Sequence, residues 1–227
     1  DARNKARAGI NEDTIKCDWL KNKTVEERKK YFRSDSRWAL FESGVIQNDA
    51  DLERLYKTVD TKHGPRKVFK SLTELKNDGI MTVSKERLEH SSFGDWTKTN
   101  RLEKGGHGQR GMEKLFSTGV KPVIYKEYSN GVRIGSVPEH KNKSKRTGSD
   151  RPNSDIGQSW FPKDWGDDRI MIAGTYTANF GKGNDVMKTA IFEDVEVVVY
   201  LNDGQIGTIC PNNMKQPKGD EWENARD

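Results

Sequence analysis

The sequence is short of residues that staple or anchor a chain. Its two cysteines, Cys17 and Cys210, stand far apart and form no CxxC pair. That excludes a disulfide framework and a zinc ribbon. No apolar run approaches the roughly 18 residues of a membrane-spanning helix, and no signal peptide opens the chain. Only 32% of residues are apolar against 33% charged, with a mean hydropathy of −0.97, so the core is modest. No sustained repeat occurs, and no HxxxH, HExxH or DxDxDG metal spacing. There is no initiator Met. The chain starts at Asp1, as expected of a segment cut from a longer polypeptide with its targeting information upstream.

Aromatic residues are plentiful. Eight Phe, six Trp and six Tyr exclude an intrinsically disordered composition. Forty basic against 35 acidic residues give a net charge of +5 and a pI near 9.0. This suits a polyanionic partner and equally an ordinary soluble protein. A length of 227 residues allows one large domain or two small ones.

Residues 1–23 read as a frayed start or a short helix. Thr24-Val-Glu-Glu27 and Ser71-Leu-Thr-Glu74 are capping boxes that open helices. Asp49 is expected to cap a helix carrying Leu52, Leu55, Tyr56 and Val59 on one face. Lys62–Lys67, with Gly64-Pro65 inside, is expected to be a breaker, and His63 a loop residue. Residues 1–80 therefore read as a helical region with no chemical motif.

Residues 81–227 read as an α+β domain: helices first, then antiparallel sheet. A short helix runs from Ser84 to about Leu88, another from Gly111 to Phe116. Strands at Val120–Tyr128 and Val132–Val137 flank Ser129-Asn130-Gly131, a strong hairpin signal. A basic loop follows, with Lys141, Lys143, Lys145, Arg146 and Arg151 inside it. Asp167 is expected to cap a helix through Asn179. Ile191–Leu201 is expected to be one strand, turning at Asn202-Asp203-Gly204 into Gln205–Ile209.

Two of the four histidines, His90 and His107, lie 17 residues apart beside chain-bending glycines. Imidazole takes and gives protons near neutrality, so a facing pair supplies a general acid and a general base. By composition alone both read equally well as polar loop residues bound to backbone. The basic loop offers an ammonium for a phosphoryl transition state or plain phosphate-backbone contacts. Ser159 and Thr208 are small hydroxyls near element ends, able to bond a base edge or phosphate. A metal-dependent DNase of ββα-metal type, using His107 and His140 with Asn142 nearby, stays open. So does a non-catalytic RNA-binding module.

Four stretches, in order, resemble the EndoU endoribonuclease family, and within it the bacterial EndoU toxin domains. Leu88-Glu89-His90-Ser-Ser-Phe93-Gly94-Asp95 resembles the first histidine motif and is similar also to that of the coronavirus uridylate-specific endoribonuclease. Gly105-Gly106-His107 resembles the second. Ser159 to Trp165 resembles the stretch before the next helix. Tyr200 to Pro211 resembles the closing hairpin, whose Thr lines the base pocket. The resemblance covers about residues 85–212. It implies RNA transesterification to a 2′,3′-cyclic phosphate, with His107 as base, His90 as acid, and Ser159 and Thr208 binding substrate. It implies no obligatory metal, with Mn²⁺ assistance left open. A lysine completes the set: Lys145, with Lys143 in reserve, because Gly148–Gly157 reads as an insertion. Cys210 stands where relatives place an aromatic, which weakens uridine preference and favours a structured RNA such as tRNA. The resemblance also implies a toxin released from a longer secreted or cell-surface protein and acting in the target cell's cytoplasm. It would be neutralised by a cognate immunity protein, with residues 1–80 serving delivery.

Overall fold

The computed structural model describes residues 16–146 and 157–217. The chain divides into two compact units, Asp1–Ile80 and Met81–Asp227. The expectations for residues 1–15, for Arg151 and most of the proposed insertion, and for the last ten residues lie outside the described residues.

In the first unit, α1 spans Cys17–Lys21 and α2 Val25–Phe32. The Thr24–Glu27 capping box forms in both directions, a cap worth about 1 kcal/mol. α3 covers Asp35–Glu42 and α4 Asp49–Glu53. The expected helix through Val59 is absent. The cap of α4 is Asn48, while Asp49 accepts from the Cys17 N–H at 2.6 Å. Tyr56–Thr61 forms strand β1, antiparallel to β2 at Gly64–Phe69. The apolar spacing fits a helix, but the run from Tyr56 is rich in β-formers. Gly64, at φ +98°, lets the chain reverse in two residues, and Tyr56 stacks on its cross-strand partner Phe69 with centroids 4.4 Å apart. The expected breaker is thus a hairpin, with His63 exposed at its tip. Helix α5, Leu72–Asn77, opens with the Ser71–Glu74 box.

In the second unit, α6 spans Lys85–Ser92. It runs past the expected end at Leu88 and puts His90 on a helix. Strands β3 (Asp95–Trp96) and β4 (Leu102–Lys104) form a small ribbon, and α7 covers Gln109–Ser117. β5 (Val123–Glu127), β6 (Arg133–Ser136) and β7 (Gln158–Trp160) form an antiparallel sheet in that order. Helix α8, Asp167–Phe180, lies against a second antiparallel sheet. That sheet holds β8 (Lys182–Gly183), β9 (Met187–Phe192), β10 (Val195–Asn202) and β11 (Gln205–Pro211), ordered β11-β10-β9-β8.

The strand expected over Ile191–Leu201 is broken in two. Glu193 and Asp194 take φ +45° and +66° and reverse the chain between β9 and β10. Neither residue signals a turn as Asn-Gly would. Tertiary contacts hold it instead: Arg169 Nε donates to Glu193 at 2.5 Å, and Asn130 donates to the Asp194 carbonyl at 2.6 Å. Leu102, Met112, Leu115, Val120, Val137 and Trp160 form a buried cluster, with Trp96 and Ile124 packed against it.

Candidate active site

A helix leaves its last four carbonyls without intrahelical partners. At the end of α6 the carbonyl of Glu89 is met by Phe93 and Gly94, and the other three by the Gly-Gly-His segment and Gly108. The N–H groups of Gly106, His107 and Gly108 donate to the carbonyls of His90, Ser91 and Ser92 at 3.1, 2.7 and 2.9 Å. The second histidine motif therefore caps the helix that bears the first. Gln158 secures the segment from β7, its amide donating to the Gly105 carbonyl at 2.6 Å. The Ile209 N–H donates to Ser91 Oγ at 2.9 Å, which brings β11 and Thr208 beside His90.

His90, His107, His140, Lys145, Ser159 and Thr208 line one cleft of about 550 Å³. His90 Nδ1 lies 2.9 Å from Asp95 Oδ2, and Nε2 lies 3.0 Å from Thr208 Oγ1. The carboxylate fixes the Nδ1 proton and the ring plane, so Nε2 is the nitrogen turned to Thr208 and the cleft. His107 is nine-tenths buried. Its Nδ1 sits 2.7 Å from the Ser159 carbonyl, an acceptor only, so Nδ1 carries the proton. The lone pair is then on Nε2, which has no protein partner among the described residues. Burial above all pushes the His107 pKa down to about 3, opposed by the Ser159 carbonyl and assisted by Lys145 and by the neighbouring imidazoles of His90 and His140. At neutral pH the ring is uncharged, the form a proton acceptor needs.

Lys145 ends the single-turn 3₁₀ segment Lys143–Lys145, held as the Val137 N–H donates to its carbonyl at 2.7 Å. Its Nζ donates to the Gly157 carbonyl. Lys143 is exposed and absent from the cleft wall. Ser159 contributes its carbonyl to His107, and its hydroxyl, on the same cleft wall, donates to the Pro211 carbonyl at 3.0 Å. Cys210 is a buried wall residue whose thiol is pushed up to about 12 by burial, so it is no thiolate nucleophile. Among the described residues, no group of three or more His, Cys, Asp or Glu is placed to hold a metal ion. The pairing of His107 with His140 as metal ligands finds no third ligand there.

A model of the bacterial EndoU nuclease family matches residues 84–213. The chain belongs to that family. The match starts at Ser84, the cap of α6, and ends just beyond β11. No curated protein and no solved structure matches the chain.

This EndoU nuclease carries four cleft or support residues to which the sequence gives no part in an RNA-cleaving site. Asp95 was visible only as the acid of a turn. Gln158 carries no local motif. His140 had been paired with a metal. Tyr200 faces Thr208 across β10 and β11, lines the cleft and is 45% exposed. It supplies an aromatic face from the neighbouring strand, where Cys210 has none. The alternating pattern of a hairpin is the signal that could have found it.

The two buried histidines make the EndoU unit acid-sensitive. His140 is also pushed down, to about 4, chiefly by burial. Each is therefore less protonated folded than unfolded, where the ordinary value is 6.5. Stability is intact above pH 6.5 and is lost as pH falls, over 6.5 to 3 for His107 and 6.5 to 4 for His140. At pH 5 each costs roughly 2 kcal/mol. Urea unfolding should show a marked fall in midpoint from pH 7 to pH 5, and a shallower one in His140→Asn. Equal slopes in the two proteins would contradict the assignment for His140.

Proposed function

We propose that the chain is an endoribonuclease toxin that cleaves RNA by 2′-OH transesterification. His107 Nε2 takes the proton of the ribose 2′-hydroxyl. The 2′ oxygen attacks phosphorus, and the bond to the 5′ oxygen breaks. His90 Nε2–H protonates the departing oxygen, leaving a 2′,3′-cyclic phosphate and a 5′-hydroxyl. Lys145 faces the charge that grows on the non-bridging oxygens. Thr208 and Tyr200 offer the base a hydroxyl and a stacking surface. The observation that carries this reading is the opposed hydrogen bonding of the two imidazoles in one cleft. His107 is left with a bare Nε2 by the Ser159 carbonyl, and His90 has Nδ1 fixed by Asp95.

A structured RNA such as tRNA fits the basic residues around the 3₁₀ segment. Release as a toxin, delivery by the residues up to 80, action in the cytoplasm of a target cell and a cognate immunity protein are proposed on the family resemblance.

Incubating purified protein with total RNA tests the reaction. Fragments should carry 2′,3′-cyclic phosphate ends, and cutting should persist in EDTA. Linear 3′-phosphate or 5′-phosphate ends from the first instant would point to attack by water and end the reading. The two lysines give a second check. Lys145→Met should lower kcat about 10²-fold, and Lys143→Met should stay near wild type. The reverse order would move the ammonium to Lys143.

A further inference from the structure

His140 is 2% exposed yet lines the cleft. It sits where the chain leaving β6 folds back on itself. The Lys141 N–H donates to the Leu102 carbonyl at 2.9 Å, and Arg146 Nε donates to the His140 carbonyl at 2.5 Å. The Asn142 N–H donates to His140 Nδ1 at 2.9 Å. Nδ1 is thus the acceptor, and the ring proton is on Nε2. Among the described residues Nε2 has no acceptor. Nε2 is not among the fully buried polar atoms that lack a partner; it opens onto the cleft, where the oxygen of a ligand is its natural complement. The charges acting on this imidazole come from Lys145, Arg146 and Arg101, all positive. A corner made of donors and cations takes an anionic oxygen.

We infer that His140 is a further catalytic residue: its Nε2–H donates to a non-bridging phosphate oxygen of the RNA, beside Lys145. This rests on the ribonuclease reading of the same cleft. Because the ring is neutral, it gives a directed hydrogen bond and adds no charge next to His107. The role differs from those of the two proton-transferring histidines. His140 neither gives up nor gains a proton, and its bond strengthens as the equatorial oxygens gain charge.

Two substitutions separate the donor from the loop it shapes. His140→Asn keeps an acceptor near Nδ1 for the Asn142 N–H and removes the Nε2 donor. His140→Gln puts a neutral amide donor near the Nε2 position. On an RNA oligonucleotide, His140→Asn should lose about 10²-fold in kcat with little change in KM. His140→Gln should recover to within about tenfold of wild type. Full activity in His140→Asn, or no recovery in His140→Gln, overturns the inference. His107→Ala run alongside keeps the two readings apart. If it cuts like wild type, the ribonuclease reading falls. If it is inactive while His140→Asn is fully active, only the role of His140 falls. Should His140→Asn fail to fold, ¹⁵N-histidine-labelled wild type titrated with inorganic phosphate decides: the His140 Nε2 resonance should move, and an unmoved one refutes the contact.

Discussion

His107→Ala should lose about 10²–10⁴-fold in kcat/KM on RNA, the range a general base supplies. The upper end is expected, because the described cleft offers no second neutral acceptor fixed as His107 is. Its ring is held by the Ser159 carbonyl at Nδ1, and its backbone by Ser91 at 2.7 Å and Phe161 at 2.8 Å. The substitution leaves the backbone ties intact and removes only the imidazole. The Ser159 carbonyl then loses a partner, worth about 1–3 kcal/mol, so the protein should still fold at neutral pH. Free imidazole has room to enter the vacated space and should restore part of the rate. The pH profile is a finer check. kcat/KM reports the free enzyme, and His107 is pushed down to about 3. Its acid limb should therefore lie well below pH 6.5. A variant that cuts at the wild-type rate would take His107 out of the reaction.

The elements that build this fold and its cleft are legible in the sequence where motifs are local. Both capping boxes, the Ser129–Gly131 hairpin and the two histidine stretches can each be read from a few neighbouring residues. What escaped was set by distant partners. α6 runs to Ser92 instead of stopping near Leu88 because its final carbonyls are capped by residues 106–108, a contact no window around His90 contains. Tyr200 enters the cleft only through its register with Thr208. The β9–β10 turn carries acids at positive φ, a conformation that short-range propensity assigns to Gly or Asn. The Tyr56–Thr61 segment failed for the opposite reason. Its apolar spacing satisfied a helical period, and the pairing of Tyr56 with Phe69 overrode it. Ser159 reads from the sequence as a hydroxyl, and the structure adds its carbonyl, which meets His107 and which every residue has.

Gly105→Ala should damage the protein more than any surface change and abolish measurable cleavage. Gly105 has φ +64°, and a Cβ there would lie 1.8 Å from the His90 carbonyl oxygen and 2.8 Å from its carbon. Both are backbone atoms, so no side-chain rotation relieves the overlap. The left-handed conformation costs about 1–3 kcal/mol for a non-glycine residue, and forced overpacking about 1–3 more. A total of roughly 2–6 kcal/mol is a large part of a domain's 5–15. Relief requires the 106–108 segment to lift off the end of α6, and that carries His107 away from His90. A displacement of about 1 Å at a catalytic group costs on the order of 10²-fold. Gly119→Ala is the matched control. Gly119 has φ +83° with nothing within 4 Å of its added Cβ, so it bears the conformational cost without the collision. Urea unfolding and kcat/KM on the pair separate the two effects. Gly119→Ala should lose a little stability and no activity, whereas Gly105→Ala should lose both. If the two variants behave alike, the helix end and the Gly-Gly-His segment are not held as tightly as the 2.7 Å bond from His107 to Ser91 requires, and the two histidines are aligned by something else.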